Sequence, residues 1–189
     1  MKIFFYFFFF SILSTSSYSF VNPKVKIENF FINKYEVTIQ EFQDYADKNN
    51  IKTLAEKTGG GYEWGAGWEQ RIGWTYRTPY GAKPKSLLEP AVHINRFEAE
   101  KYCKSKNGRL PSFDEWKLAA YKQVLPSKVF QLNKIHKYPS GDKAEKMNSQ
   151  GLLGYNRHMD VTKLPEGING LVAMGGNVWE WIHDSKGGV

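Results

Sequence analysis

Three pairs in this chain, each a Thr, Asn or Ser three residues ahead of a Glu, open a run of apolar residues at helical spacing: Thr38 and Glu41, Asn95 and Glu98, Ser112 and Glu115. At that spacing the side-chain oxygen and the carboxylate each satisfy a backbone amide that the first helical turn leaves unpaired, so each pair predicts a helix start. Apolar residues then follow at helical spacing: Ile39, Phe42, Tyr45 and Ala46 before a stop at Asn49-Asn50, then Ala99, Tyr102 and Cys103 before Asn107-Gly108. Phe113, Trp116, Ala119 and Ala120 form the third stripe. Long aperiodic stretches separate and follow these helices. A strand is expected over Val25 to Phe31, where apolar and polar residues alternate, continuing through Tyr35-Glu36-Val37. A few helices set among loops and short strands define an α+β class with little regular structure.

Composition narrows the function classes. The chain has 189 residues, 41% hydrophobic and 24% charged, enough to bury the core of a single domain. A single cysteine excludes an internal disulfide framework, a CxxC redox pair and a cysteine-rich zinc site. The formal charge of +7 brings nucleic acid into consideration, but the densest basic stretches, Lys101 to Arg109 and Lys134 to Lys146, interleave acids. That pattern describes a solvated surface, and no nucleic-acid partner is expected. Cys103 shares its stripe with Ala99 and Tyr102 and is read as a small buried apolar residue without chemistry.

Met1-Lys2 precedes the apolar run Ile3 to Leu13, followed by small polar residues up to Ser17-Tyr18-Ser19. Residues 1–19 therefore read as a signal peptide, because a run this short falls well below the roughly 20 residues needed to cross a bilayer. The mature domain, residues 20–189, is expected to be exported, periplasmic or secreted, with no membrane association once the leader is removed.

Gly59 to Pro90 holds Tyr62, Trp64, Trp68, Trp74 and Tyr76 among glycines and lacks helical periodicity. No Gly-Lys-Ser/Thr follows, so it is expected to be an irregular loop pinned by aromatics rather than a phosphate cradle. From Lys137 onward the chain is again loop-rich, with a turn over Tyr138 to Asp142. Loops this long in a compact domain are unusual unless they bind something, and a metal ion is one economical way to hold them. His93, His136, His158 and His183 show no short metal spacing and are expected in turns or at the surface. Asp114-Glu115 is explained by the helix cap, and no side chain is assigned a catalytic or cofactor-binding role.

The C-terminal run Gly176-Asn177-Val178-Trp179-Glu180-Trp181 resembles the signature of the formylglycine-generating enzyme family, also called the sulfatase-modifying factor family. Lys34 to Thr38 is similar to that family's opening segment, Glu89 to Val92 with Asn107 to Trp116 to its middle, and Tyr138-Pro139-Ser140-Gly141-Asp142 to its Tyr-Pro-Trp-Gly-Asp turn, with Ser140 in place of Trp. The pieces stand in the family's order from about Val25 to Trp181.

The resemblance implies a C-type-lectin-like α+β fold of the formylglycine-generating-enzyme type, with about three helices, small antiparallel sheets and calcium among the loops. The family's enzymes oxidise a cysteine of a client sulfatase to formylglycine with a copper ion held by two cysteines, which lie downstream of the Gly-Asn-Val-Trp-Glu-Trp motif. Eight residues follow Trp181 here and the single cysteine lies upstream, so copper is not expected in this chain. The domain is expected to lack its C-terminal part, as a truncated copy in preference to a naturally short relative, and to be catalytically incomplete as given. The leading expectation is a module that binds a protein or peptide partner, such as a sulfatase, with Trp179 as part of the cleft wall. The alternative is the N-terminal fragment of a formylglycine-generating oxidase. By the same resemblance a calcium site would take the carbonyls of Gly176 and Val178 and the carboxylate of Glu180, although Ala173 stands where the family has Asp or Asn. A second site would begin at Asn148 and the Ser149 carbonyl.

Overall fold

The computed structural model describes residues 20–144, 147–149 and 157–183. The leader reading over residues 1–19 lies outside them. Two antiparallel hairpins and four α-helices supply the regular structure, in the order β1 (Lys24–Ile27), β2 (Phe30–Asn33), α1 (Ile39–Lys48), α2 (Leu54–Lys57), β3 (Gly60–Trp64), β4 (Trp68–Ile72), α3 (Arg96–Ser105) and α4 (Phe113–Tyr121). No helix among the described residues is long and apolar enough to cross a membrane.

All three anticipated capping boxes form. Thr38 Oγ1 accepts from the Glu41 amide at 3.2 Å while Glu41 accepts the Thr38 amide at 3.0 Å, and Asn95 with Glu98 and Ser112 with Glu115 repeat the exchange. A fourth box, Thr53 with Glu56, opens α2, which sequence reading missed because four residues carry no periodicity. The anticipated strand is corrected to a hairpin. Glu28, with φ near +47°, turns the chain so that Ile27 pairs with Phe30 and Lys24 with Asn33. Tyr35 to Val37 does not continue it, since Val37 instead accepts the Ala91 amide. The Gly59–Pro90 stretch is likewise more regular than expected, because β3 and β4 pair from Gly60 with Ile72 to Trp64 with Trp68. Glycines within and between the two strands hid it, and its large apolar side chains stand on the exposed face.

Two cores hold these elements. In one, Phe42 of α1 sits among Tyr45, Tyr76 and Tyr102, with ring centroids 4.9 to 5.7 Å apart. Cys103 packs at the edge of this cluster, partly buried, and burial raises its thiol pKa, which disfavours the reactive thiolate. In the other, Ile27, Trp116, Ala119 and Ala120 meet Leu171, Met174 and Ile182. The loop segment that carries the last three residues has no strand ladder of its own. Asn169, only 4% exposed and with φ near +58°, anchors it: Oδ1 accepts the Val124 and Leu125 amides, and Nδ2 donates to the Ala119 and Lys122 carbonyls. One side chain thereby satisfies four backbone groups at the end of α4 and ties the C-terminal loop beneath it.

Candidate functional site

The C-terminal motif forms a tight turn rather than a strand. Ala173, Gly175 and Asn177 all take left-handed backbone angles, with φ between 64° and 70°. Gly175 is favoured by its φ, and a Cβ there would also press on the Pro139 ring at 3.0 Å. The Gly176 amide donates to the Ala173 carbonyl at 2.9 Å, and Val178 donates to the Gly176 carbonyl at 2.8 Å.

Asn177 fixes the turn to three distant segments. Its Nδ2 donates to Glu36 Oε2 at 2.6 Å and to the Met159 carbonyl, while its Oδ1 accepts the Met159 amide at 2.7 Å and Asn148 Nδ2 at 2.9 Å. The Asn148 carbonyl in turn accepts the Asn177 amide. Asn148 and Gly176, read from sequence as starting separate cation sites, thus lie against one another. Ser149 is partly buried next to them, and the passage over residues 150–156 lies outside the described residues.

Two carboxylates flank the turn. Glu180, partly buried, accepts the Trp116 indole N–H at 2.6 Å and the Gly175 amide. Glu36, 7% exposed, holds Asn177 and accepts the Val178 amide at 3.2 Å. Desolvation pushes the Glu180 carboxyl up to about 7 against the pull of its two donors. Glu36 is raised well above the usual carboxylate range, first by burial and then by the charge of Glu180. Among the described residues no Lys, Arg or His is paired with either. Nor do three His, Cys, Asp or Glu side chains converge anywhere among them, so a cation here would draw on carbonyls and water besides two carboxylates. The carbonyls and two carboxylates at this irregular turn are hard oxygen donors of the kind that fit calcium. A small cavity on the turn, lined by Pro139, Met147, Asn148, Ala173 and Gly176, presents no carboxylate and does not.

Sequence reading missed Glu36, Asn177 and Trp116 as partners in this site. Glu36 and Trp116 lay inside quoted motifs but were assigned to a strand and a core stripe; only the fold brings them to residue 180.

Trp179 points outward, 71% exposed. Its ring meets Trp68 edge to face at 6.0 Å, and Trp68 meets Trp64 in the same manner at 5.3 Å. Tyr62, Trp64 and Trp68 share the outer face of the β3–β4 hairpin, while the inner face places Gly61 against the His93 ring. The aromatics of this stretch divide accordingly. Tyr76 is fully buried and Trp74 packs on Tyr80 and His93, as anticipated for pinning residues, whereas Tyr62, Trp64 and Trp68 form a surface. Trp181 turns inward and donates to the Ile94 carbonyl.

Two of the four histidines depart from expectation, whereas His93 sits in a bend with φ near +57° and His183 is exposed in a turn. His136 and His158 are buried, the first beside Asp142 and the second donating from Nε2 to the Glu89 carboxylate at 3.1 Å. Each is paired to one carboxylate within the fold.

A loop-rich α+β domain with a carboxylate-flanked Gly-Asn-x-Trp-Glu-Trp turn defines the class, and comparison with known proteins agrees: residues 13–187 match the sulfatase-modifying factor enzyme 1-like domain, so the chain belongs to that family. It is 29% identical over 188 residues to the inactive C-alpha-formylglycine-generating enzyme 2 of Mus musculus, covering 84% of this chain and 59% of that protein. To the formylglycine-generating enzyme of Mus musculus it is 24% identical, covering 85% and 50%. The fold is that of PvdO from Pseudomonas aeruginosa, with a TM-score of 0.57 at 22% identity over 84% of this chain and 57% of that one. The chain therefore spans about half to three-fifths of the length of these relatives.

Proposed function

We propose that the chain is an exported, non-oxidising domain of the family that holds a protein or peptide partner, a sulfatase among the candidates, on its indole face. The observation that carries this reading is the contiguous group Trp64, Trp68 and Trp179, whose three indoles stand in solvent with Trp68 in edge-to-face contact with the other two. Exposed, rigid aromatic area of this kind marks an interaction surface, because large apolar rings gain most when a partner removes them from water. Calcium at Gly176, Val178 and Glu180, with Asn148 and Ser149 close by, would brace the turn from which Trp179 projects. The apolar leader over residues 1–19 supports export, and the mouse relative described as an inactive enzyme supports a non-catalytic role.

The test uses the full-length protein and an unfolded sulfatase from the same host. Saturable quenching of tryptophan emission is expected, weakened by Trp68→Ala and by Trp179→Ala with folding unchanged by circular dichroism. Absence of saturable binding, or binding indifferent to both substitutions, refutes the reading. A second reading is favoured by the match to the mouse formylglycine-generating enzyme over half its length: this domain is part of a longer oxidase that converts a sulfatase cysteine to formylglycine. The coding sequence past Val189 decides between them, since the oxidase requires a cysteine pair there.

A further inference from the structure

The cation reading leaves a deficit, because Ala173 offers no side-chain oxygen and one carboxylate is a weak claim on a divalent ion. Resting on that reading, we infer that Glu36, from the connection between β2 and α1, supplies the second carboxylate of the calcium site at the Gly175–Glu180 turn. Glu36 and Glu180 grip the same short turn, one through the Asn177 side chain and the Val178 amide, the other through the Gly175 amide. Each Glu36 oxygen accepts one hydrogen bond, at 2.6 and 3.2 Å, which leaves lone pairs on both for a metal ion.

Two mutually repelling carboxylates with no cationic side chain beside them are an expensive arrangement for a fold to keep. Removing a carboxylate from water is costly unless the charge is paired, bound to a metal or neutralised by a proton. Donors already present satisfy part of the charge: the Trp116 indole on Glu180 and the Asn177 amide on Glu36. Neither donor is charged, so the net charge of the pair is left for a cation or protons. A divalent ion would neutralise both carboxylates at once and bind the β2–α1 connection, which is 140 residues earlier in the chain, to the turn that carries Trp179. The site would thereby couple ion occupancy to the placement of the indole face.

The experiment uses the full-length protein at neutral pH, with terbium as a luminescent probe sensitised by nearby tryptophan and displaced by calcium. Wild type is expected to show saturable, calcium-displaceable luminescence and a higher melting temperature in calcium than in chelator. Glu36→Gln should weaken terbium binding by about ten- to a hundredfold and abolish the calcium-dependent rise in melting temperature, as Glu180→Gln does. A purely structural Glu36 would instead lower melting equally with and without calcium. If Glu36→Gln does not fold, Glu36→Asp, which keeps the charge one methylene short, should fold and bind terbium about tenfold more weakly than wild type. Calcium response intact in the Glu36 variants but lost in Glu180→Gln overturns the inference and leaves the cation reading standing. No response in wild type overturns both.

Discussion

Single residues in left-handed backbone conformations shape the C-terminal half. Asn169 and Asn177 suit that conformation, because a short amide side chain tolerates it and bonds locally. Ala173, with φ near +66°, does not. Replacing Ala173 by Gly is expected to stabilise the domain by about 0.5 to 1 kcal/mol, the relief of the Cβ clash offset in part by the greater freedom of glycine when unfolded. Urea denaturation measures this, and a destabilised variant would show the methyl to be needed where it lines the cavity. Asn169 makes a sharper case. Truncation to Ala leaves the Val124 and Leu125 amides and the Ala119 and Lys122 carbonyls without their partner, at about 1 to 3 kcal/mol for each group that water cannot reach. A loss of more than about 3 kcal/mol in the same assay is expected, with Asn169→Asp only partly tolerated because it cannot donate.

At the scale of elements, every α-helix among the described residues begins with a reciprocal cap, and α4 adds an ion pair to it. Arg109 clasps the Glu115 carboxylate with two nitrogens at 2.6 Å while Glu115 also accepts the Ser112 amide. Arg109 chiefly, then the Ser112 donors, hold the Glu115 carboxyl down to about 2 against desolvation. A carboxyl depressed on folding contributes stability above its unfolded pKa and loses it as pH falls through the folded value, so this contribution fades between about pH 4.5 and 2. Arg109 is exposed, which keeps the effect modest. Glu115→Gln should flatten that part of the melting-temperature profile, and Ser112→Ala should cost about 1 kcal/mol at neutral pH. An unchanged acid limb in Glu115→Gln would refute the assignment. The cap pairs were legible in the sequence because they act over three residues. Helix α2 and the β3–β4 hairpin were not: a single turn carries no apolar repeat to mark its cap pair, its Leu54 amide is held by Glu98 of α3, and the hairpin depends on Gly61 lying against His93.

Over the whole molecule, the segment from Arg157 to Val161 bridges the two halves. His158 lies against Glu89, which also accepts the Lys85 and Ser86 amides, while Met159 engages Asn177 and Val161 donates to the Leu88 carbonyl. Burial lowers the His158 pKa despite Glu89, with the charges of His93 and Arg157 adding to the shift and the Tyr80 ring packed alongside. The unfolded chain therefore takes up a proton that the folded one resists. Stability is complete above about pH 6.5 and falls as the solution is acidified below it. His158→Gln, which keeps a donor to Glu89 but cannot charge, should remove the drop in melting temperature that sets in below about pH 6.5. Persistence of the full drop in this variant would assign it to other groups.

The sequence by itself determined the helix starts, the Tyr138–Asp142 turn, the glycines and asparagines of the C-terminal loop and, through ordered motifs, the family. These are short-range matters: a cap, a turn or a left-handed residue is decided by neighbours a few positions away. Which carboxylate stands beside Glu180, which indoles reach solvent beside Trp179, and which histidines are buried were decided by tertiary structure alone. Glu36 and Asn177 lie 141 positions apart. Only packing of the two cores closes that distance, and burial then raises the Glu36 carboxyl well above the usual carboxylate range.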